Sequence, residues 1–176
     1  MTSILGTQSI QHPNGTASAT ILADGTFSSP GHILQTVISI STVLASTTNT
    51  NLDTPTDYLS ASITPKFSTS KILIRGNIIG GGSAAGIGVN FFIKAGGSFM
   101  TTTELGNNQA GLLAYGFGRA DGVQDCFSFD VFDSPATTSS FTYTIAFGRY
   151  GGSGTGYAGW HNSKSRSSLT LMEIAQ

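Results

Sequence analysis

The chain has 176 residues, 10% of them charged, and a formal net charge of −1, against about 25% charged in an ordinary soluble domain. A surface so close to neutral has no long-range pull on nucleic acid or on an anionic membrane. The longest apolar run is far short of the roughly 18 residues a membrane helix needs, so membrane insertion is not expected either.

The length suits one domain, or one domain plus an arm. With 23 glycines and abundant Ser and Thr, the chain relies on hydroxyls and backbone rather than charge for solubility. Enzymes and nucleic-acid binders of this size usually carry more ionisable groups. No Lys or Arg precedes Lys66. The start MTSILGTQSIQ has neither a basic end nor an apolar core and does not read as a secretory signal.

Residues 1–31 differ from the rest. LGTQSIQ and ASATILA read as short β pieces separated by the turn signals HPNG and ADG, where Asn-Gly and Asp-Gly favour tight turns with positive φ. Two such pieces, with Asp24 their one charge, cannot bury themselves alone. The segment reads as an arm lying against another subunit or protein, with a first hairpin of the domain as the alternative.

From His32 strand signals follow regularly. ILQTVISI comes first, then a Thr/Asn/Ser stretch up to Asp57 that reads as a long loop or edge. YLSASIT puts Leu59, Ala61 and Ile63 on one face until Pro65 stops it. KILIRGNII sets Ile72, Ile74 and Ile78 against Leu73, Arg75 and Asn77. After the expected loop GGGSAAG, IGVNFFIK places Ile87, Val89, Phe91 and Ile93 together. GLLAYGFG, CFSFDVF, FTYTIAF and SLTLMEI complete the set. No 12-residue window holds a 3.6-residue apolar period, so little helix is expected. Eight or nine strands between Gly, Pro, Asn and Ser predict an all-β antiparallel sandwich over residues 32–176, with jelly-roll topology as the preferred arrangement.

Motifs that would carry chemistry are weak. Gly154, Gly156 and Gly159 match GxGxxG, yet WHNSKSRSS and a strand follow where a dinucleotide site needs a helix. His12, His32 and His161 are far apart and lack the close partners of a zinc site. Asp121, Asp125, Asp130 and Asp133 are the densest acids and read as surface loop carboxylates. Calcium ligation by Asp130 and Asp133, or a carboxylate pair for glycoside hydrolysis, would require them to converge. Cys126 is the sole cysteine and reads as a small buried core residue. Asn14-Gly15-Thr16 is a formal sequon explained by its turn. Catalytic, cofactor-binding and metal-binding residues are therefore all assigned as none, and no cofactor is expected. The one stretch of binding character is 150–161, where Tyr150, Tyr157, Trp160 and His161 sit among glycines. Such rings stack on sugars or anchor protein contacts, and Trp160 packed on the core or at a subunit contact is the alternative.

Three stretches carry a family resemblance: KFSTSKILIRGNI, FDSPATTSSFTYTIAF and the terminal SSLTLMEIAQ. They resemble a module of tail-fibre-like and appendage proteins of bacteriophages, especially phages of marine and freshwater bacteria. The leader SILGTQSIQHPNGTASATILADGTF is similar to the start of many such proteins. The resemblance implies a non-enzymatic β-sandwich head that forms a homotrimer, built into the virion after assembly in the host cytoplasm. It implies an arm, residues 1–31, gripping another virion protein of tail, baseplate or major capsid. The loops near 80–86, 106–111 and 150–161 would then face outward, toward a host surface glycan. Host attachment is the expected role. A capsid decoration (cement) protein and an independent carbohydrate-binding module are the alternatives, with a glycan-cleaving enzyme using Asp130 as a further class.

Overall fold

The computed structural model describes residues 9–11, 13, 17–23, 25–101, 111–117, 125–159 and 166–176. All secondary structure among them is strand, and every pairing is antiparallel. The all-β expectation is borne out. The first three strands, β1 (Ser9–Gln11), β2 (Ala17–Ile21) and β3 (Phe27–Ser28), form a small sheet of their own.

The remaining strands build two larger sheets. In chain order they are β4 (Ile33–Ser41), β5 (Ala45–Thr47), β6 (Thr56–Ile63), β7 (Lys71–Gly82), β8 (Gly88–Ala95) and β9 (Ser98–Phe99). After these come β10 (Leu112–Phe117), β11 (Asp125–Asp133), β12 (Phe141–Tyr150), β13 (Gly156–Ala158) and β14 (Ser167–Ile174). One sheet has the order β10-β8-β12-β6, with β9 added to β8. The other runs β4-β14-β7, with β11 on the far side of β7 and β13 and β5 continuing beside β14.

The alternation seen in the sequence decides which side chains meet between these sheets. Leu59, Ala61 and Ile63 of β6, Val89, Phe91 and Ile93 of β8, and Tyr143, Ile145 and Phe147 of β12 come from one sheet. Ile72, Ile74 and Ile78 of β7, Val131 of β11, and Leu169 and Leu171 of β14 come from the other. They form a single buried cluster, so the two sheets pack face to face as a sandwich. Each fully buried Ile or Leu contributes about 1.5–3 kcal/mol relative to exposure.

The glycines 80–82, expected in an outward loop, are instead buried inside β7. Backbone crowding explains this. A Cβ on Gly82 would lie 2.1 Å from the carbonyl oxygen of Ile87, and one on Gly80 would lie 2.6 Å from that of Tyr157. Only glycine lets neighbouring chains approach so closely within a strand. Phe92, predicted to lie opposite the core residues of β8, is also buried. It sits 5.6 Å from the ring of Phe99 in β9, so a side strand covers that outer position.

The turn DSPATTSS carries the chain from β11 in one sheet to β12 in the other. Asp133 is buried there: one carboxyl oxygen accepts from the Ser134 N–H at 2.7 Å, the other from the Tyr143 hydroxyl at 2.6 Å. Ala136 takes a φ of +51° inside the turn, and Thr137 Oγ1 accepts from the Ser139 N–H at 3.0 Å. A second buried carboxyl, Glu173 of β14, accepts from the N–H of Lys66 at 2.7 Å, Ser70 Oγ at 2.7 Å and Gln35 Nε2 at 2.6 Å. It ties the turn before β7 to the closing strand and to β4.

Two stability outcomes follow from this packing. Gly82→Ala is expected to lower unfolding free energy by at least about 2 kcal/mol, since the clash is with backbone rather than a movable side chain; urea denaturation measures it. Tyr143→Phe removes a donor to a buried carboxyl and should cost about 1–3 kcal/mol by the same method. An unchanged midpoint would contradict the Asp133 anchoring.

Candidate functional site

The aromatic stretch after β12 is built more firmly than its glycines suggest. The Arg149 guanidinium donates to the carbonyls of Gly151, at 2.5 Å, and Gly152, and to Thr48 O at 3.3 Å. Ser83 and Thr155 exchange bonds of 2.9 and 3.0 Å. Tyr150 ends β12 and is exposed. Tyr157 lies half-buried within β13, where it pairs with Ser46 and Gly81. These two tyrosines thus belong to different sheets. Trp160 and His161 lie outside the described residues, as do His12, Asp121, the sequon and residues 106–110 of the other expected outward loop.

The GxGxxG glycines have structural work of their own. Gly156 opens β13, and Gly159, at φ +89°, leaves room for the Val43 carbonyl oxygen 2.3 Å from where a Cβ would be. Asp130 and Asp133 are not loop carboxylates but members of β11. Three residues apart on a strand, they face opposite sides. Asp130 meets Arg75 on the outer face, and Asp133 points inward to Tyr143. They cannot converge on one cation or flank one glycosidic bond.

Cys126 also departs from expectation. It is exposed, its thiol donating to Asn77 Oδ1 at 2.5 Å. The register of β11 on β7 explains this, because Phe127, Phe129 and Val131 take the inward positions and leave Cys126 outward. His32 is exposed, its ring edge-on to Phe27 at 5.7 Å.

The unusual feature of the surface is apolar. In the N-terminal sheet Ile10 pairs with Ala19 and Ile21 with Phe27, so these four residues share one face. Ser9, Thr20 and Ser28 occupy the other. Ser18, Ala19, Thr20 and Ser28 line a cleft of about 280 Å³ together with Phe67, Thr69 and Gln176 of the body. Lys66 Nζ donates to Thr26 Oγ1 at 2.6 Å, and Gly31 N–H to Ala175 O at 2.8 Å. Ile10, Ile21 and Phe27 are left facing solvent. Ser18 and Thr20 are exposed as well, while Ala19 is buried, so solvent reaches both faces and the large apolar groups stay uncovered.

Strand β4 also turns large apolar side chains outward. Gln35, Val37 and Ser39 sit on the inner side, where Gln35 reaches the buried Glu173 and Val37 touches the core. Ile38 and Ile40 point outward, 60% and 51% exposed. Sequence reasoning placed β4 correctly but did not see its orientation. The signal available was Ile38 and Ile40 alternating with Ser39 and Ser41, which a one-sided reading would have buried.

On that same outer face Arg75 and Asp130 form a two-pronged pair, Nε–Oδ1 at 2.6 Å and NH2–Oδ2 at 3.1 Å. Hydrogen bonding from Arg75, aided by its positive charge, holds the Asp130 carboxyl below its ordinary pKa. With the folded value depressed, the pair's contribution is present above the unfolded carboxylate range and lost as pH falls through the folded value. Carboxyl NMR titration should therefore give Asp130 a midpoint below that of a free aspartate, returning to the ordinary value in Arg75→Gln.

No protein-family model matches the chain, and no curated protein matches it. Among solved structures it is similar to infectious bursal disease virus, Gt strain, with a TM-score of 0.46 and 13% identity over 88% of this chain and 42% of that one. It is also similar to the VP2 subviral particle of infectious bursal disease virus, with a TM-score of 0.40 and 11% identity over 88% of this chain and 41% of that one. The chain spans about two-fifths of the length of these solved proteins.

Proposed function

We propose that this chain is a structural protein of a virus particle: a short trimeric fibre or appendage of a bacteriophage that serves host attachment. Residues 1–31 form the arm that holds it to another virion protein, and residues 32–176 form a jelly-roll head. The observation that carries the reading is the exposed apolar face of the N-terminal sheet. An uncharged face that leaves Ile10, Ile21 and Phe27 in solvent is costly, and exposed apolar patches mark protein contacts. The Lys66–Thr26 and Gly31–Ala175 bonds meanwhile tie the sheet to the body, so it is held in a position to dock.

The order of the long strands supports the jelly-roll assignment. Numbering β4, β6, β7, β8, β10, β11, β12 and β14 in succession, one sheet reads first, eighth, third, sixth and the other second, seventh, fourth, fifth. This is the ordering of a double Greek key, an architecture shared by viral capsid and lectin domains. The resemblance of the DSPATTS turn and the closing LTLMEI strand to phage appendage modules points the same way. In the structure these motifs are a sheet crossing and a core strand, so they carry a fold rather than a reaction. Attachment to a host glycan falls to the loop at 150–161, where Tyr150 is exposed.

The test is to recover intact particles and quantify the chain by mass spectrometry, with its position read by electron microscopy. Tens of copies on the tail are expected. Hundreds of copies over the head would make it a decoration protein, and absence from the particle would overturn the virion assignment.

A further inference from the structure

The two outer faces of the sandwich are finished differently. On the five-stranded sheet the outward positions of β6 and β12 are hydroxyl pairs, Ser60 with Thr144 at 2.9 Å and Ser62 with Thr142 at 2.7 Å. Nearby Lys94 reaches Asp57 at 2.6 Å, and Phe92 is buried beside Phe99. Among the described residues that face is polar or already covered. The outer face of β4, β14, β7 and β11 keeps large apolar groups uncovered. Ile33, Ile38 and Ile40 stand out from β4 and Phe132 from β11, each about half exposed or more, with Leu73 and Met172 half-buried between them.

Resting on the oligomeric reading above, we propose that this face is where copies of the chain meet. The β4 flank of one copy packs against the β11 flank of the next. Its layout favours such a head-to-tail contact. The large apolar groups lie on the two flanks, Ile38 and Ile40 on one and Phe132 on the other. Between them runs a polar strip of Ser168, Thr170, Arg75 and Asn77. A contact joining unlike flanks closes into a ring when the rotation suits, and a ring of three leaves the strip around its axis.

Charge points to a second copy rather than to a charged partner. Arg75 and Asp130 neutralise each other within the chain, and Lys71 lies at the end of the face. The strip holds a shallow hollow of about 390 Å³ lined by Arg75, Asn77, Ser128 and Asp130, which stays hydrated around such an axis. Four strands about 4.8 Å apart and eight residues of about 3.3 Å give each copy a face of roughly 500 Å².

The test combines light scattering with labelling of Cys126, which lies on the outer side of β11 and is the one cysteine of the chain. Wild type should show a mass near three times 18.2 kDa and thiol labelling about tenfold or more slower than in a monomer. The double variant Ile38→Thr/Ile40→Thr, which keeps β-branched residues, should give a monomer of unchanged circular dichroism and fast labelling. Phe132→Ser should do the same from the opposite flank. A trimer that persists in both variants would overturn this face while leaving the trimer standing. A wild-type monomer would overturn both. Should the variants misfold, wild type decides alone, since a trimer whose Cys126 reacts as fast as a free thiol cannot be packed through this flank.

Discussion

Strand β7 is paired along both edges, by β11 on one side and by β14 and then β13 on the other. Because side chains alternate strictly along a strand, this double pairing allows no slip of register. A one-residue shift would expel Ile72, Ile74 and Ile78 from the interior and bury Arg75 and Asn77. The neighbours inherit the same constraint. Leu171 lies opposite Ile74 on one side and Val131 on the other, so the inner layer of the six-stranded sheet is set from its middle outward. Glycine completes the arrangement at position 76, where the Phe129 ring occupies the space a Cβ would need.

Two buried carboxyl groups secure the places where the chain changes sheet. Asp133 links the β11–β12 crossing to Tyr143 in the core, and Glu173 gathers backbone and side-chain donors from the segment before β7. Burying such groups is costly unless their lone pairs are met by donors. Here backbone N–H groups, hydroxyls and an amide meet them. The two acids therefore define crossings that hydrophobic contact alone would leave loose, and they explain why aspartate and glutamate occur inside a chain so poor in charge.

The surfaces left over are as informative as the core. Both β4 and the N-terminal sheet direct isoleucine outward. For a molecule that spent its existence alone, this would be an expensive way to meet water. For a subunit it is economical, since Gln35 and Lys66 hold the pieces in position while the apolar sides wait for neighbours. Function in this reading lies in broad complementary surfaces rather than in a cluster of reactive groups.

The amino-acid order by itself determined the class of fold. Alternation in 59–63, 72–78, 141–147 and 167–174 specifies half-buried strands, and Gly, Pro and Asn mark their ends, because both are local properties of backbone and side-chain direction. It also marked residues 1–31 as a segment whose short β pieces are unable to bury themselves. What it did not reveal were orientations that depend on partners distant along the chain. Cys126 turned outward because β11 aligned Phe127 and Phe129 with the core of β7. Glycines 80–82 became strand because two other segments press against their backbone. Ile38 and Ile40 faced solvent because β14 needed Gln35 and Val37 on the inner side of its neighbour. Period-two patterning says that one side of a strand is apolar. Only the packed sheets decide whether that side looks into the protein or away from it.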